Sequence, residues 1–152
     1  MDFLHPEYTR FLALLEQQHV RYFLIGGIAV NIYGYSRTTE DLGILFEGSR
    51  ENGIQLLHCI ELFGFDTSDF LNYDFTEPTH FRIGEFPNSI DLINNTIGID
   101  FRLAFNRAKE LRIGELSTKV IHINDLIANK IALNTYKDLA DAEALKKIQL
   151  NK

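Results

Sequence analysis

The spacing of apolar residues in the first part of this 152-residue chain predicts three helices and two short strands. Residues 8–18 and 50–63 carry apolar side chains at helical spacing, so each stretch predicts an amphipathic helix. Residues 20–25 and 42–46 are short apolar runs, which are typical of buried strands. Residues 28–35 predict a helix between these two strands.

Short alternating runs replace the helical spacing in the middle of the chain. Residues 79–86 and 89–93 alternate between apolar and polar side chains on either side of a Pro-Asn pair, so they predict a β-hairpin. Residues 112–116 predict another turn between short strands, with a return strand at 119–123. Towards the C-terminus, Asn124 is a favourable N-cap for the next helix.

This C-terminal part predicts two helices, one from Asn124 to Leu133 and one over 137–148. The connection between them is short, so we expect an antiparallel pair. The order of all the elements predicts an α/β (or α+β) fold, in which a mixed β-sheet has flanking helices and a C-terminal helical pair.

The length of the chain predicts one domain over residues 1–152. Its core is expected at about 20–123 and its terminal helices at 124–150. No low-complexity linker or internal repeat divides the sequence.

The composition excludes several classes of protein. The formal charge is −6, so the chain has no large basic footprint for duplex nucleic acid, while a small local basic pocket stays open. No run of 18 apolar residues predicts a membrane span, and the N-terminus lacks the pattern of a secretory signal. Cys59 is the single cysteine, which excludes an internal disulfide and a thiolate zinc cluster. The expected location is the cytoplasm.

Two glycines, Gly26 and Gly27, lie between the first predicted strand and the helix that follows it. A turn without Cβ atoms lets backbone N–H groups approach a ligand, and a helix N-terminus favours anions such as a triphosphate. The alternative is that the glycines serve only tight packing of the strand on the helix. The sequence matches neither a P-loop nor a dinucleotide-binding fingerprint.

Two aspartates lie in or beside apolar strands. Asp41 precedes the apolar run 42–46, and Asp91 stands inside the run 89–93. An acid in a buried strand is unfavourable unless it is paired or binds a metal. Carboxylate oxygens suit Mg²⁺ (or Mn²⁺), so these acids predict a shared divalent ion. The alternative is that Asp91 pairs with Arg82 across the hairpin.

Taken together, these residues resemble the nucleotidyltransferase superfamily that includes DNA polymerase beta. The closest resemblance is to a small bacterial branch with AbiE-type toxins of toxin–antitoxin systems, minimal nucleotidyltransferases and antibiotic nucleotidyltransferases. It covers residues 20–145. The matching positions are Gly26 and Gly27, the Arg37-x-Thr39-x-Asp41 lead-in, Asp91, and the closing segments 125–130 and 137–141.

The resemblance implies transfer of a nucleoside monophosphate from a nucleoside triphosphate to an acceptor hydroxyl. It implies that Asp41 and Asp91 are catalytic and hold the metal, and that Asp91 helps to deprotonate the acceptor. Nucleotide-binding residues would be Gly26, Gly27, Arg37, Thr39, Lys130 and Lys137. The two acids in the last helix, Asp138 and Asp141, are expected to hold Arg37 or Lys130 structurally.

The partners are less closely defined. The acceptor would be a protein side chain, a tRNA end or a small antibiotic, and the acidic balance argues against tRNA. Minimal members of the branch work with a helical companion, so a helical partner protein is also implied.

Gly43 departs from the family pattern, which has a second acid at this position. Glu40 precedes Asp41 and is not expected to replace that acid. Three interpretations are open: an inactive nucleotide-binding relative, an enzyme that works with one ion at a reduced rate, or a residue altered from the natural form. The main alternative function is therefore an inactive nucleotide-binding or antitoxin-like partner module of the same fold.

Overall fold

The computed structural model describes residues 4–39 and 41–151. Six strands and six α-helices form this part of the chain. The strands are β1 (Tyr22–Ile25), β2 (Asp41–Phe46), β3 (His80–Ile83), β4 (Ser89–Ile93), β5 (Lys109–Ile113) and β6 (Leu116–Val120). The helices are α1 (Pro6–Gln17), α2 (Gly26–Ile32), α3 (Arg50–Phe63), α4 (Phe101–Arg107), α5 (Ile123–Leu133) and α6 (Tyr136–Leu150), with a short 3₁₀ turn at Ser68–Phe70.

The six strands form one mixed sheet in the order β3-β4-β2-β1-β6-β5. The central pair β2 and β4 is parallel, and β1 is antiparallel to β2. The hairpin strand β3 is antiparallel to β4 and lies at one edge of the sheet. The predicted fold class, a mixed sheet with flanking helices and two C-terminal helices, is confirmed.

Alternation along the central strands separates a buried face from a partly open face. Leu42 and Ile44 of β2 are in register with Ile90 and Leu92 of β4, and all four side chains are buried. Because successive side chains point to opposite faces, Asp41, Gly43 and Asp91 share the other face. The burial of one face therefore fixes where the acids point.

The helices cover the sheet and provide much of the core. The apolar stripe of α1 is fully buried, and α1 contacts both α3 and β6. Helix α2 contacts β1, β2 and α5, while α5 packs against α6. In the part of the chain that is described, no helix combines the length and hydrophobicity needed to cross a bilayer.

Several predicted boundaries are correct. Helix α3 has the predicted bounds, and Gly64 ends it with a φ of 110°. The predicted hairpin is present as β3 and β4. Cys59 is fully buried, as its place on the apolar face of α3 predicts.

Other boundaries were wrong for identifiable reasons. Helix α2 begins at Gly26, two residues before the predicted start, so the glycine pair forms its first turn. The predicted N-cap Asn124 lies inside α5, because the His122 side chain caps the helix by accepting a hydrogen bond from the Asn124 N–H. Strand β6 consequently ends at Val120.

Two further differences concern the middle of the chain. Helix α4 was not predicted, since it is short and only Ala104 is buried within it. Strand β3 ends at Ile83, earlier than residue 86, because a longer turn connects it to β4.

Candidate functional site

The side chains of Asp41 and Asp91 come together on the partly open face of the sheet. In the parallel pair of β2 and β4, Asp41 is in register with Ser89, and Gly43 is in register with Asp91. The two acids therefore lie on neighbouring strands, two register positions apart, and point to the same side. The regular pairing of the central strands thus places both carboxylates in one small area.

Arg82 of the edge strand β3 contacts both of these carboxylates. Its Nη2 donates a hydrogen bond to Asp41 Oδ2 at 3.3 Å, and its Nε lies 3.7 Å from Asp91 Oδ1. His80, two residues earlier on the same face, has its Nε2 2.6 Å from the same Asp91 oxygen. The Arg82–Asp91 pair considered as the alternative from the sequence is therefore present, and it extends to Asp41.

Gly43 lies beside the acids, and the backbone conformation at this position does not require a glycine. It is not among the glycines with positive φ, so its backbone conformation suits other residues. A Cβ atom at this position would lie 3.1 Å from the carbonyl oxygen of Ile25 and 3.4 Å from Ile25 Cγ1. A side chain here would need Ile25 to shift by a few tenths of an ångström, and it would stand next to Asp91.

The two glycines of the pair differ in their surroundings: Gly26 borders open space, and Gly27 is closely packed. Gly26 has a φ of 73°, which favours glycine, and a Cβ atom there would meet nothing within 4 Å. A Cβ atom on Gly27 would lie 2.7 Å from Thr39 Oγ1 and 3.0 Å from Arg37 Nη2. Arg37 and Thr39 therefore lie against the start of α2, and Gly27 makes room for this loop rather than for packing of the strand on the helix.

Arg37 belongs to a buried cluster of charges that joins the α2–β2 loop to the last two helices. Its Nε and Nη2 lie 2.9 Å and 3.0 Å from the two Asp141 oxygens. Lys130 Nζ lies 3.1 Å from Asp141 Oδ2 and 3.0 Å from Asp138 Oδ1. These contacts agree with the expectation that the two acids of α6 hold Arg37 and Lys130 structurally.

The two candidate lysines have different surroundings. The Lys130 side chain is 6% exposed and directed at the two acids of α6. Lys137 is exposed at the start of α6. Burial tends to raise the pKa of the Asp138 carboxyl, but hydrogen bonds from Thr135 and Lys130 outweigh it and hold that pKa below its usual value. Of the two lysines, Lys137 is the one open to a ligand.

Tyr8 of α1 is a neighbour of the site that the sequence interpretation did not include. Its hydroxyl donates to the backbone carbonyls of Ser89 and Pro87, at 3.1 Å and 3.3 Å. Burial raises the pKa of this phenol, and the Asp41 carboxylate adds to the effect. The signal in the sequence was only an aromatic residue on an apolar helix face, which is typical of core.

Glu40 lies outside the described residues.

A cavity of about 650 Å³ lies elsewhere, between α3 and residues 71–76. Its lining is mixed, with apolar side chains such as Ile54 and Leu71 beside charged groups such as Arg50. Neither the acids nor the glycine pair line it. The cavity is thus separate from the face that carries Asp41 and Asp91.

Asp41 and Asp91 place two carboxylates on one face of the sheet, and Gly43 adds none. Among the described residues, no group of three or more His, Cys, Asp or Glu side chains is arranged to hold a metal. Magnesium commonly takes one or two carboxylates and completes its shell with waters and substrate phosphates. Asp41 and Asp91 fit one such ion, whereas Gly43 supplies no carboxylate to bridge a second ion.

Comparison with known proteins identifies the fold. No family model matches the chain, and no curated protein matches its sequence. Among solved structures, the chain is similar to the lincosamide antibiotic adenylyltransferase LnuA bound to lincomycin. The TM-score is 0.64 at 17% identity, over 95% of this chain and 98% of that one.

Two further structures share this similarity. The antibiotic-resistance factor ANT(2'')-Ia has a TM-score of 0.59 at 13% identity, over 95% of this chain and 86% of that one. An antigenic nucleotidyltransferase-like protein from Paracoccidioides brasiliensis has a TM-score of 0.53 at 13% identity, over 93% of this chain and 74% of that one. These likenesses confirm the predicted nucleotidyltransferase fold. The AbiE-type branch stays a prediction.

Proposed function

We propose that this chain is a nucleotidyltransferase, which transfers a nucleoside monophosphate from a nucleoside triphosphate to an acceptor hydroxyl and releases pyrophosphate. One observation carries the proposal. Asp41 and Asp91, from parallel strands of a nucleotidyltransferase fold, share one face of the sheet and contact the same guanidinium. Two carboxylates side by side are a natural ligand pair for one Mg²⁺ or Mn²⁺ ion.

The proposed roles follow from the surroundings of each residue. The bound ion would neutralise charge on the reacting phosphoryl group. Asp91 would accept the proton of the acceptor hydroxyl. The His80 ring, whose Nε2 lies 2.6 Å from Asp91 Oδ1, would hold that side chain in place. The open backbone at Gly26 would receive phosphate oxygens, and Lys137 is exposed for the triphosphate tail.

The packing of the other predicted nucleotide-binding residues suggests a separate role for each. Gly27 allows Arg37 and Thr39 to pack against the first turn of α2, where they would face the phosphates. Arg37 keeps N–H groups beyond those that point at Asp141, since a guanidinium has five donors. Lys130 would act mainly by fixing the position of the two acids of α6.

A small hydroxylated molecule is the acceptor class that we favour. Two of the structures with this fold are named as an antibiotic adenylyltransferase and an antibiotic-resistance factor. The net charge of −6 also argues against a large RNA acceptor. A protein acceptor is a further proposal, and the same labelling assay would find it. A helical partner protein is another, and co-purification with the chain would test it.

The test is transfer of label from each of the four α-³²P-labelled nucleoside triphosphates, with Mg²⁺ or Mn²⁺, to a panel of antibiotics, proteins and tRNA. We expect label on one acceptor class with the wild-type chain. Asp41→Asn and Asp91→Asn should each lower the rate at least about 100-fold, as loss of a directly acting group does. Asp69→Asn, which changes an exposed acid in the 3₁₀ turn, is the matched control.

Two outcomes would count against this proposal. Wild-type rates in the Asp91→Asn variant would remove the acids from the mechanism. Absence of both transfer and nucleotide binding, measured by calorimetry, would reject the nucleotide-binding role altogether.

The second candidate is a catalytically inactive nucleotide-binding or antitoxin-like module of the same fold. The specific observation in its favour is Gly43, which supplies no acid beside Asp91 although its backbone does not require glycine. This candidate predicts that the wild-type chain binds a nucleoside triphosphate without transferring it. It also predicts that Gly43→Asp gains transfer activity in the same assay.

A further inference from the structure

We propose that Arg82 is a tethered cation that competes with a divalent metal ion for Asp41 and Asp91. This inference rests on the metal binding in the proposed function and specifies how the chain controls it. The guanidinium lies 3.3 Å from an Asp41 oxygen and 3.7 Å from an Asp91 oxygen, so it contacts the two groups that an ion would need. An ion that binds Asp41 Oδ2 and Asp91 Oδ1 therefore displaces Arg82.

The position of Arg82 in the fold allows this exchange. Strand β3 is at the edge of the sheet, and the Arg82 side chain is 56% exposed. The long side chain can move into solvent without disturbing the apolar face of β3, where Phe81 and Ile83 are buried. The carboxylates come from the central strands and stay in place.

Charge balance explains why a cation is useful at this point. Without a metal, Asp41 and Asp91 are two negative groups on one face of neighbouring strands, and they would repel each other. Arg82 supplies a positive charge to both, and His80 provides a further hydrogen-bonding partner for Asp91. Arg82 therefore stabilises the two carboxylates in the metal-free chain, and it lowers their affinity for a metal ion.

The test is Mn²⁺ binding to the full chain, measured by electron paramagnetic resonance titration without nucleotide. We expect Arg82→Gln to bind Mn²⁺ about tenfold or more tightly than wild type, because a cation next to both ligands is removed. Arg82→Lys keeps the positive charge, so its affinity should lie closer to wild type than that of Arg82→Gln. Arg112→Gln removes the same charge from the opposite edge strand β5 and should bind like wild type.

Three outcomes separate the possible failures. Equal Mn²⁺ affinity in wild type and Arg82→Gln, with binding lost in Asp41→Asn, overturns the competition and leaves the metal site standing. An equal gain in Arg82→Gln and Arg112→Gln also overturns it, because the effect would then be one of total charge. Absence of Mn²⁺ binding in every variant rejects the proposed metal site itself.

Discussion

The buried charge cluster around Asp141 should be a main determinant of stability, and Asp141→Asn tests it directly. The Asp141 side chain is 1% exposed and contacts both Arg37 and Lys130, which are 14% and 6% exposed. With Asp138, the cluster contains two positive and two negative side chains. The substitution keeps the shape of the side chain but leaves one positive charge without a balancing carboxylate.

The expected effect follows from this burial. Breaking a buried ion pair by removing one partner costs about 3–5 kcal/mol, since the remaining charge stays away from water. Asp141 Oδ1 and Oδ2 make three contacts at 2.9–3.1 Å, so we expect a loss in this range. The free energy of unfolding would be measured by equilibrium denaturation in urea, with the slope compared between variants.

Two controls decide whether burial is the reason. Glu143→Gln removes an exposed acid on the same helix, whose single ion pair with Lys146 is 3.4 Å long, and should change stability by less than about 0.5 kcal/mol. Adding Lys130→Met to Asp141→Asn restores neutrality and should recover part of the loss, as a double-mutant cycle would show. A loss below about 1 kcal/mol for Asp141→Asn would refute the reasoning.

Predictions for three other residues, Gly43, Gly53 and Cys59, follow from their surroundings. Gly43→Asp should tighten Mn²⁺ binding about tenfold, because it adds a carboxylate in register with Asp91. Gly53→Ala should lower the free energy of unfolding by about 1–3 kcal/mol, since its Cβ atom would overlap with the side chain of Phe75. Burial raises the pKa of the Cys59 thiol from 9.0 to about 12, so a thiol reagent should react only through unfolding. The thiol ionises more easily in the unfolded chain, so stability should fall as the pH rises from 9 towards 12.

Each of these predictions has a control. Gly43→Asn adds a side chain of the same size without the charge, and an equal gain in Mn²⁺ affinity would contradict the role of the carboxylate. Gln55→Ala, on the exposed face of α3, should leave stability within about 0.5 kcal/mol of wild type. For the thiol, labelling faster than unfolding measured by fluorescence would show that Cys59 is accessible in the folded state.

Strand alternation explains why the two acids point to the same face of the sheet. Asp91 interrupts an apolar run, and the burial of Ile90 and Leu92 forces its side chain onto the opposite face. Asp41 precedes the apolar run of β2, and the burial of Leu42 directs the Asp41 side chain to the same face. Their approach to each other required only that the two strands be neighbours, which the fold implied by the resemblance supplied.

The sequence predicted only part of the contacts that depend on strand register or on a distant helix. The Arg82–Asp91 pair was one of the two interpretations, but its extension to Asp41 was not, because the turn of the hairpin was predicted too short. Contact of Lys130 with the acids of α6 was expected, but its burial follows only from the packing of α6 on α5. The His122 cap was missed because Ser, Thr, Asp and Asn are the usual N-cap residues.

The two acids lie on inner strands of the sheet, whereas Arg82 lies on an edge strand. This difference affects how each group moves in the native state. Strands β2 and β4 each have neighbours on both sides, whereas β3 is paired on one side only. Amide hydrogens of β3 should therefore exchange with solvent at a lower opening free energy than those of β2. Local opening of β3 would move Arg82 away from Asp41 and Asp91, while β2 and β4 stay paired. Hydrogen exchange of β3 can therefore report exposure of the two acids without global unfolding.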